Sequence, residues 1–222
     1  MNFVLTDEQK QLQSMVADFC REEVAPGAEA RDRTSEFPTQ LFLKLASLGI
    51  PAIPHSSDYG GLGLGTFDFV LALEEIARVD QSLAVTTMVN AASGLTFARF
   101  ASEELKRTWL PDIVSGKQIC SLAGTEPQAG SDTAGSTTRA RRQSDRSWVI
   151  NGEKAFITNP GTDISSFTMV MAITSAPDAA KKDFTLFHIP TGTAGYEIGP
   201  SYRKMGWRSS DTHPLYFNDC KV

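Results

Sequence analysis

Cysteine and positive charge are both scarce in this chain, and each shortage excludes a class of protein. Cys20, Cys120 and Cys220 are its three cysteines; they are far apart and form no Cys-x-x-Cys or Cys/His spacing. We therefore expect reduced, partly buried thiols rather than a disulfide framework or a structural zinc site. The net charge of -5 predicts no basic patch, which argues against a nucleic-acid partner.

Long hydrophobic runs are also missing. No apolar stretch is long enough to cross a bilayer, and the opening residues turn polar at once, unlike a secretory signal peptide. The 41% hydrophobic and 21% charged composition is typical of a folded globular protein. A chain of 222 residues can bury one large core or two modest ones. These features predict a cytoplasmic protein.

The first half of the chain, residues 1–117, has the pattern of an all-α domain. Thr6 and Gln9 have the spacing of a capping box, in which each side chain bonds the backbone amide of the other. Apolar residues at helical spacing follow them. Later helices are predicted to begin near Pro38, Thr66, Ser82 and Ser102, the last of them ending at Pro111.

The second half, residues 118–222, has the pattern of a β domain. Asn151-Gly152 predicts the tight turn of a hairpin, because both residues accept positive φ angles. Runs rich in aromatic and β-branched residues predict further strands at 167–174, 184–189 and 215–217. The predicted fold class is α+β: an N-terminal helical bundle followed by a small antiparallel β-sandwich or barrel.

Two short segments concentrate the chemistry of the chain. The first is Thr125-Glu126-Pro127-Gln128-Ala129-Gly130-Ser131-Asp132, which puts hydroxyls and backbone donors into one turn. Such donors suit a diphosphate and the polar edge of a flavin ring. The second is Phe156-Ile157-Thr158-Asn159, which adds an aromatic face and another hydroxyl. Either segment alone is also compatible with an ordinary turn or strand end.

Together, and in this order, the two segments resemble the acyl-CoA dehydrogenase family of flavoproteins. Glu74 to Val85 and Lys204 to Asp219 extend the resemblance over most of the chain. The second of these stretches is equally compatible with a polar loop and with a substrate contact. The resemblance implies FAD as cofactor and cofactor-binding residues at Leu122, Ala123, Gly124, Thr125, Gly130, Ser131, Phe156, Ile157 and Thr158.

Individual roles also follow from the resemblance. It implies that Thr125 bonds the flavin ring, that Ser131 lies beside both the diphosphate and the thioester substrate, and that the Thr158 hydroxyl reaches flavin N5. Two positions depart from the family pattern. Phe156 stands where the family usually has tryptophan, and Gly124 stands where it generally has an aliphatic residue. A phenylalanine still stacks on a flavin, with less area and no indole N–H.

The resemblance implies α,β-dehydrogenation of an acyl-CoA thioester, with electrons passing to an electron-transfer flavoprotein and the complete protein a homo-oligomeric dimer or tetramer. In the family, a carboxylate that takes the α-proton lies on a C-terminal helical bundle, which we expect to fall beyond Val222. No glutamate here matches that base. We therefore expect the 222-residue chain alone to be inactive and to bind FAD weakly or not at all.

Other functions remain open at this point. The same scaffold could belong to an acyl-CoA oxidase, a flavin monooxygenase or a non-catalytic remnant. The glycine-rich run 60–65 lacks the GxGxxG spacing of a dinucleotide site and follows no buried strand. The three histidines have no metal-ligand spacing, and no GxSxG motif indicates a serine hydrolase. Acyl chain length and branching are not readable from the sequence.

Overall fold

A computed structural model describes residues 4–222, which divide into two compact units. The helical unit comprises the described residues up to Ile119 together with Lys204–Ser210. The sheet unit comprises Cys120–Arg203 and Asp211–Val222. The predicted fold class is therefore confirmed as a helical part followed by an antiparallel-rich sheet.

The helical unit contains six α-helices within the described residues. They are α1 (Asp7–Phe19), α2 (Ala28–Thr34), α3 (Thr39–Ser47), α4 (Thr66–Ala77), α5 (Gln81–Phe100) and α6 (Glu103–Val114). A π-helical turn at Cys20–Val24 and a 3₁₀ turn at Ala25–Gly27 join α1 to α2. No helix within residues 4–222 has the length and apolar composition that a bilayer crossing requires.

Side-chain caps mark where α1, α5 and α6 begin. The predicted capping box is present: the Thr6 hydroxyl accepts from the Gln9 amide at 3.3 Å, and the Gln9 side chain accepts from the Thr6 amide at 3.0 Å. Asp80, rather than Ser82, caps α5 by accepting from the Leu83 amide at 3.0 Å. Each cap satisfies an amide that would otherwise lack a partner in the first helical turn.

Helix α6 does not end at Pro111, as the sequence predicted, but continues to Val114. Proline removes one intrahelical hydrogen bond and crowds the preceding turn. Leu110, Ile113 and Val114 on both sides of it are fully buried. Burial of these side chains offsets the local cost of the proline, so the helix extends one turn further.

The sheet unit is built on one seven-stranded sheet. Its strands are β1 (Ile119–Ala123), β2 (Arg139–Arg142), β3 (Trp148–Thr158), β4 (Ser165–Ile173), β5 (Phe184–Pro190), β6 (Tyr196–Ile198) and β7 (Thr212–Lys221). The strand order is β1-β4-β2-β3-β7-β6, with β5 paired to β4. The pairs β2–β3, β3–β7, β4–β5 and β6–β7 are antiparallel, and β2–β4 is parallel.

The predicted hairpin at Asn151-Gly152 is wrong, because both residues lie inside the continuous strand β3. Gly152 has φ +142° and sits at a register shift between β3 and β7, so its backbone freedom serves a bulge. A Cβ there would lie 2.6 Å from the Thr138 hydroxyl oxygen. The turn that joins β2 to β3 is instead at Gln143–Ser147, where Arg146 has φ +73°.

Candidate functional site

The structure brings the two candidate segments of the sheet unit into direct contact. The backbone amide of Ala155, next to Phe156, donates to the carbonyl of Thr125 at 2.9 Å. Thr125 follows β1 by two residues, whereas Ala155 lies in β3, 30 residues later. This hydrogen bond places Thr125 beside the second segment, as a shared binding surface requires.

Phe156 is turned outward by a β-bulge. Opposite β7, Lys154 pairs with Leu215 and Ile157 with His213, so β3 carries one extra residue between these pairs. Phe156 occupies this bulge with φ +60° and is 63% exposed, although its neighbours Ala155 and Ile157 are buried. Bulges of this kind redirect a side chain next to functional sites. The exposed ring offers a face on which a planar ligand could stack.

Three hydroxyls that the sequence selected are accessible to a ligand. The Thr125 and Thr158 side chains are partly exposed, and Ser131 is exposed. None of these three hydroxyls has a hydrogen-bond partner within residues 4–222. Gly130 is also exposed, and a Cβ at this position would meet no atom within 4 Å. The turn therefore retains hydrogen-bonding capacity and open space at its surface.

The remaining candidate residues divide between the surface and the core. Leu122 is 39% exposed, whereas Ala123 and Ile157 belong to the core of the sheet unit. The side chains of Ala123 and Ile157 thus face away from the surface, and these two residues offer a ligand only backbone atoms. Gly124 offers its carbonyl to Lys154 at 3.1 Å.

The loop after Thr158 is held by a cluster that the sequence analysis did not find. The Asn159 amide donates to the carbonyl of Asp211 at 3.1 Å, and the Gly161 amide donates to the Asp211 carboxylate at 2.8 Å. The other carboxylate oxygen of Asp211 lies 2.7 Å from His213 Nε2, while His213 Nδ1 lies 2.6 Å from the Gly199 carbonyl. No sequence pattern joins these positions, because the contacts span about 50 residues of chain.

A buried ion pair links the first candidate segment to the residues just before the second. Lys154 Nζ and Glu126 Oε1 are 2.9 Å apart, and both side chains are fully buried. Burial acts to raise the pKa of Glu126, but hydrogen bonds from Lys154, Thr137 and Thr138 outweigh it and lower the pKa to about 2. Burial lowers the pKa of Lys154, and Glu126 offsets part of that effect. A carboxylate held ionised in this way is unsuited to act as a general base near neutral pH.

The residues present fit a flavin better than a metal ion. The surface combines an exposed aromatic ring with unpartnered hydroxyls, which together match a planar ring that carries a polar edge. No group of three or more metal-ligating side chains occurs among residues 4–222. Phe156 also stacks on Tyr202, with ring centroids 4.9 Å apart, so its ring plane is supported from within the unit.

The helical unit has an apolar groove of about 600 Å³ that sequence reasoning did not identify. Residues of α4 and α5 line most of the groove, among them Val70, Leu73 and Met88, together with Trp207. The indole nitrogen of Trp207 donates to the side chain of Gln81 at 2.8 Å. The sequence left two interpretations of the segment Lys204–Ser210 open, a polar loop and a substrate contact. In the structure, Trp207 of this segment forms part of the apolar lining of the groove.

Comparison with known proteins identifies the family. Family models for the acyl-CoA dehydrogenase N-terminal domain and middle domain match residues 6–117 and 121–220. The probable acyl-CoA dehydrogenase YngJ of Bacillus subtilis is 39% identical over 223 aligned residues, which cover 100% of this chain and 58% of YngJ.

Solved structures agree with this assignment. Butyryl-CoA dehydrogenase from Megasphaera elsdenii superimposes with a TM-score of 0.91 at 32% identity, over 100% of this chain and 58% of that protein. An acyl-CoA dehydrogenase from Bacillus anthracis, solved in complex with FAD, superimposes with a TM-score of 0.87 at 28% identity. That match covers 98% of this chain and 37% of the Bacillus anthracis protein.

The chain thus spans about three fifths of the length of YngJ and matches two consecutive domains of one family. The order of these domains, the sequence identity and the superposition all agree, and on this basis the chain belongs to the acyl-CoA dehydrogenase family.

Proposed function

We propose that this chain forms the FAD-binding part of an enzyme that α,β-dehydrogenates acyl-CoA thioesters. The observation that carries the proposal is the hydrogen bond between the Ala155 amide and the Thr125 carbonyl. It places Thr125 beside the segment of Phe156 and Thr158, where an exposed ring and unpartnered hydroxyls are available to one ligand. The family membership and the FAD-bound relative support the choice of cofactor.

Four of the candidate residues have a side-chain role in this proposal. The Phe156 ring packs against the flavin face, and Thr125 and Thr158 donate hydrogen bonds to its polar edge and reactive nitrogen. Ser131 bonds the diphosphate and lies beside the thioester. When bound, FAD supplies the acceptor for the hydride that leaves the β-carbon, while a base takes the α-proton. The apolar groove of the helical unit is a surface on which an acyl chain could be buried.

The proposal extends to partners and to the activity of the chain alone. We propose that the complete protein is a homo-oligomer and that it passes electrons to an electron-transfer flavoprotein. The isolated 222 residues are proposed not to turn over acyl-CoA, because no glutamate here matches the family's base, and Glu126 of the candidate turn is paired with Lys154. Its pKa of about 2 leaves it a poor proton acceptor.

Titration of the chain with FAD tests the proposal, with flavin fluorescence as the readout. We expect weak but saturable binding that is further weakened in Thr158→Val and Ser131→Ala. Thr108→Val is a matched control, because its hydroxyl bonds the Glu104 carbonyl within α6. Binding that is unchanged in both site variants would contradict the assignment.

An activity assay with acyl-CoA and an artificial electron acceptor gives the second readout. No turnover is expected from the chain alone, and rapid turnover would refute that part of the proposal. Oxygen consumption by the complete protein would favour an oxidase instead of a dehydrogenase.

A further inference from the structure

Lys154 and Glu126 form an ion pair whose two side chains are both 0% exposed. Burial of two charges is costly, and well-packed apolar residues often replace such a pair without loss of stability. Its presence in the sheet unit therefore calls for an explanation other than stability. The position of the pair supplies one, because Glu126 directly follows Thr125 and Lys154 precedes Phe156 by two residues.

The Glu126 carboxylate gathers three parts of the chain at one point. It accepts from Lys154 at 2.9 Å and from the Gln128 side chain at 2.8 Å. It also accepts from the Thr137 amide at 2.7 Å, the Thr137 hydroxyl at 3.0 Å and the Thr138 amide at 3.1 Å. The turn after β1, the start of β2 and the middle of β3 are thus tied to a single side chain.

Lys154 completes the link from the other side. Its ammonium donates to the Gly124 carbonyl at 3.1 Å as well as to Glu126. Lys154 thus bonds to both neighbours of Thr125, and it lies two residues before Phe156. The Ala155 amide bonds to Thr125 itself. Displacement of the ammonium would remove the bond to Gly124 and one of the bonds to Glu126, so it would loosen the turn on both sides of the candidate threonine.

We infer that the Lys154–Glu126 pair is a positioning device that holds Thr125 in register with Phe156 and Thr158 for binding of the flavin. This inference rests on the proposed function. The two charged groups do not contact the ligand themselves; they act through the backbone of the residues that do. Small displacements of contacting groups are sufficient to reduce affinity substantially.

Three variants of the 222-residue chain test the inference. Lys154→Met removes the ammonium, and Glu126→Gln removes the carboxylate charge. The double variant removes both charges and keeps an amide oxygen for the Thr137 and Thr138 amides. Lys221→Met is the matched control, because Lys221 pairs with Asp145 at 2.8 Å in the same unit but at an exposed position.

The first measurement is amide hydrogen exchange without FAD. In Lys154→Met, the Ala155 amide, which bonds to Thr125, is expected to exchange about tenfold faster, while amides of β4 and β5 keep their rates. Uniform acceleration across the sheet unit would indicate a purely structural role and would overturn the inference. Unchanged exchange at Ala155 would overturn it as well.

The second measurement pairs FAD affinity with stability in urea. The single variants are expected to weaken FAD binding by about tenfold or more. The double variant is expected to recover stability, because no unpaired charge stays buried, but not affinity. Recovery of both together would overturn the positioning role. If the unaltered chain bound too little FAD to measure, amide exchange at Ala155 would still show whether the ion pair holds Thr125 in position.

Discussion

We expect His55 to make the helical unit sensitive to acid. Its side chain is 2% exposed, and Nε2 has no hydrogen-bond partner within the described residues. Burial lowers the pKa of His55 from 6.5 to about 4, because a charged imidazole loses its hydration there. The ring lies close against α5: a Cβ added to Gly94 would meet His55 Cε1 at 2.9 Å. Rearrangement to accommodate a charged ring is therefore restricted.

The magnitude follows from proton linkage. Between pH 6.5 and 4 the unfolded chain binds a proton at His55 that the folded chain does not, so the free energy of unfolding falls as pH falls. Each pKa unit corresponds to about 1.4 kcal/mol, and lowering the pH to 5 therefore costs about 2 kcal/mol at this one residue.

Urea unfolding at pH 7.5 and pH 5, followed by circular dichroism, measures this loss. His55→Asn cannot titrate in this range and should lose about 2 kcal/mol less than the unaltered chain between the two pH values. Packing lost by the substitution is present at both pH values and cancels in the difference. His188 is a second test in the sheet unit, since burial also lowers its pKa to about 4. Equal acid sensitivity of His55→Asn and the unaltered chain would refute the reasoning.

Two further pairs of substitutions, each a test and its control, probe the backbone and the charges. Gly152→Ala should lower stability by about 2–4 kcal/mol in urea, because the new Cβ meets Thr138 atoms 2.6–2.8 Å away at a strained φ of +142°. Gly192→Ala, also at positive φ but with open space around it, should cost only about 1 kcal/mol; equal costs would contradict a steric origin. Asp80→Ala should cost about 3–5 kcal/mol by thermal or urea unfolding, because Arg31, whose side chain is only 15% exposed, loses its ion-pair partner and α5 loses its cap. Asp7→Ala, at an exposed pair, should cost under about 1 kcal/mol, and a larger loss there would weaken the argument from burial.

Several helix starts were readable from the sequence because caps act over a few residues. The bonds between Thr6 and Gln9 span three positions. The Asp80 cap of α5 spans the same distance to Leu83, but the sequence prediction named Ser82 instead. The predictions made from Pro111 and Asn151-Gly152 were wrong for the opposite reason. Both are strong local signals, yet packing of residues distant in sequence overrode them.

The candidate site likewise has features that the sequence revealed and features that it did not. The family and the two chemical segments were visible in the residues, and the family prediction is confirmed. The roles of the individual site residues stay predictions. The outward turn of Phe156 was not visible, because it depends on one extra residue in β3 opposite β7. The contacts of Asp211 with Asn159 and Gly161 and the Lys154–Glu126 pair were missed as well, since they join positions 28 or more residues apart.

The amino-acid pattern was enough for properties that arise from neighbouring residues: helix caps, the order of a helical and a β part, and short motifs rich in hydroxyls and glycine. Within the sheet unit, strand register decided which distant residues meet. It brought Ala155 to Thr125, placed a bulge under Phe156 and buried Lys154 against Glu126. The physical reason is that backbone pairing across a sheet depends on the burial of a whole face, which no local window of sequence contains.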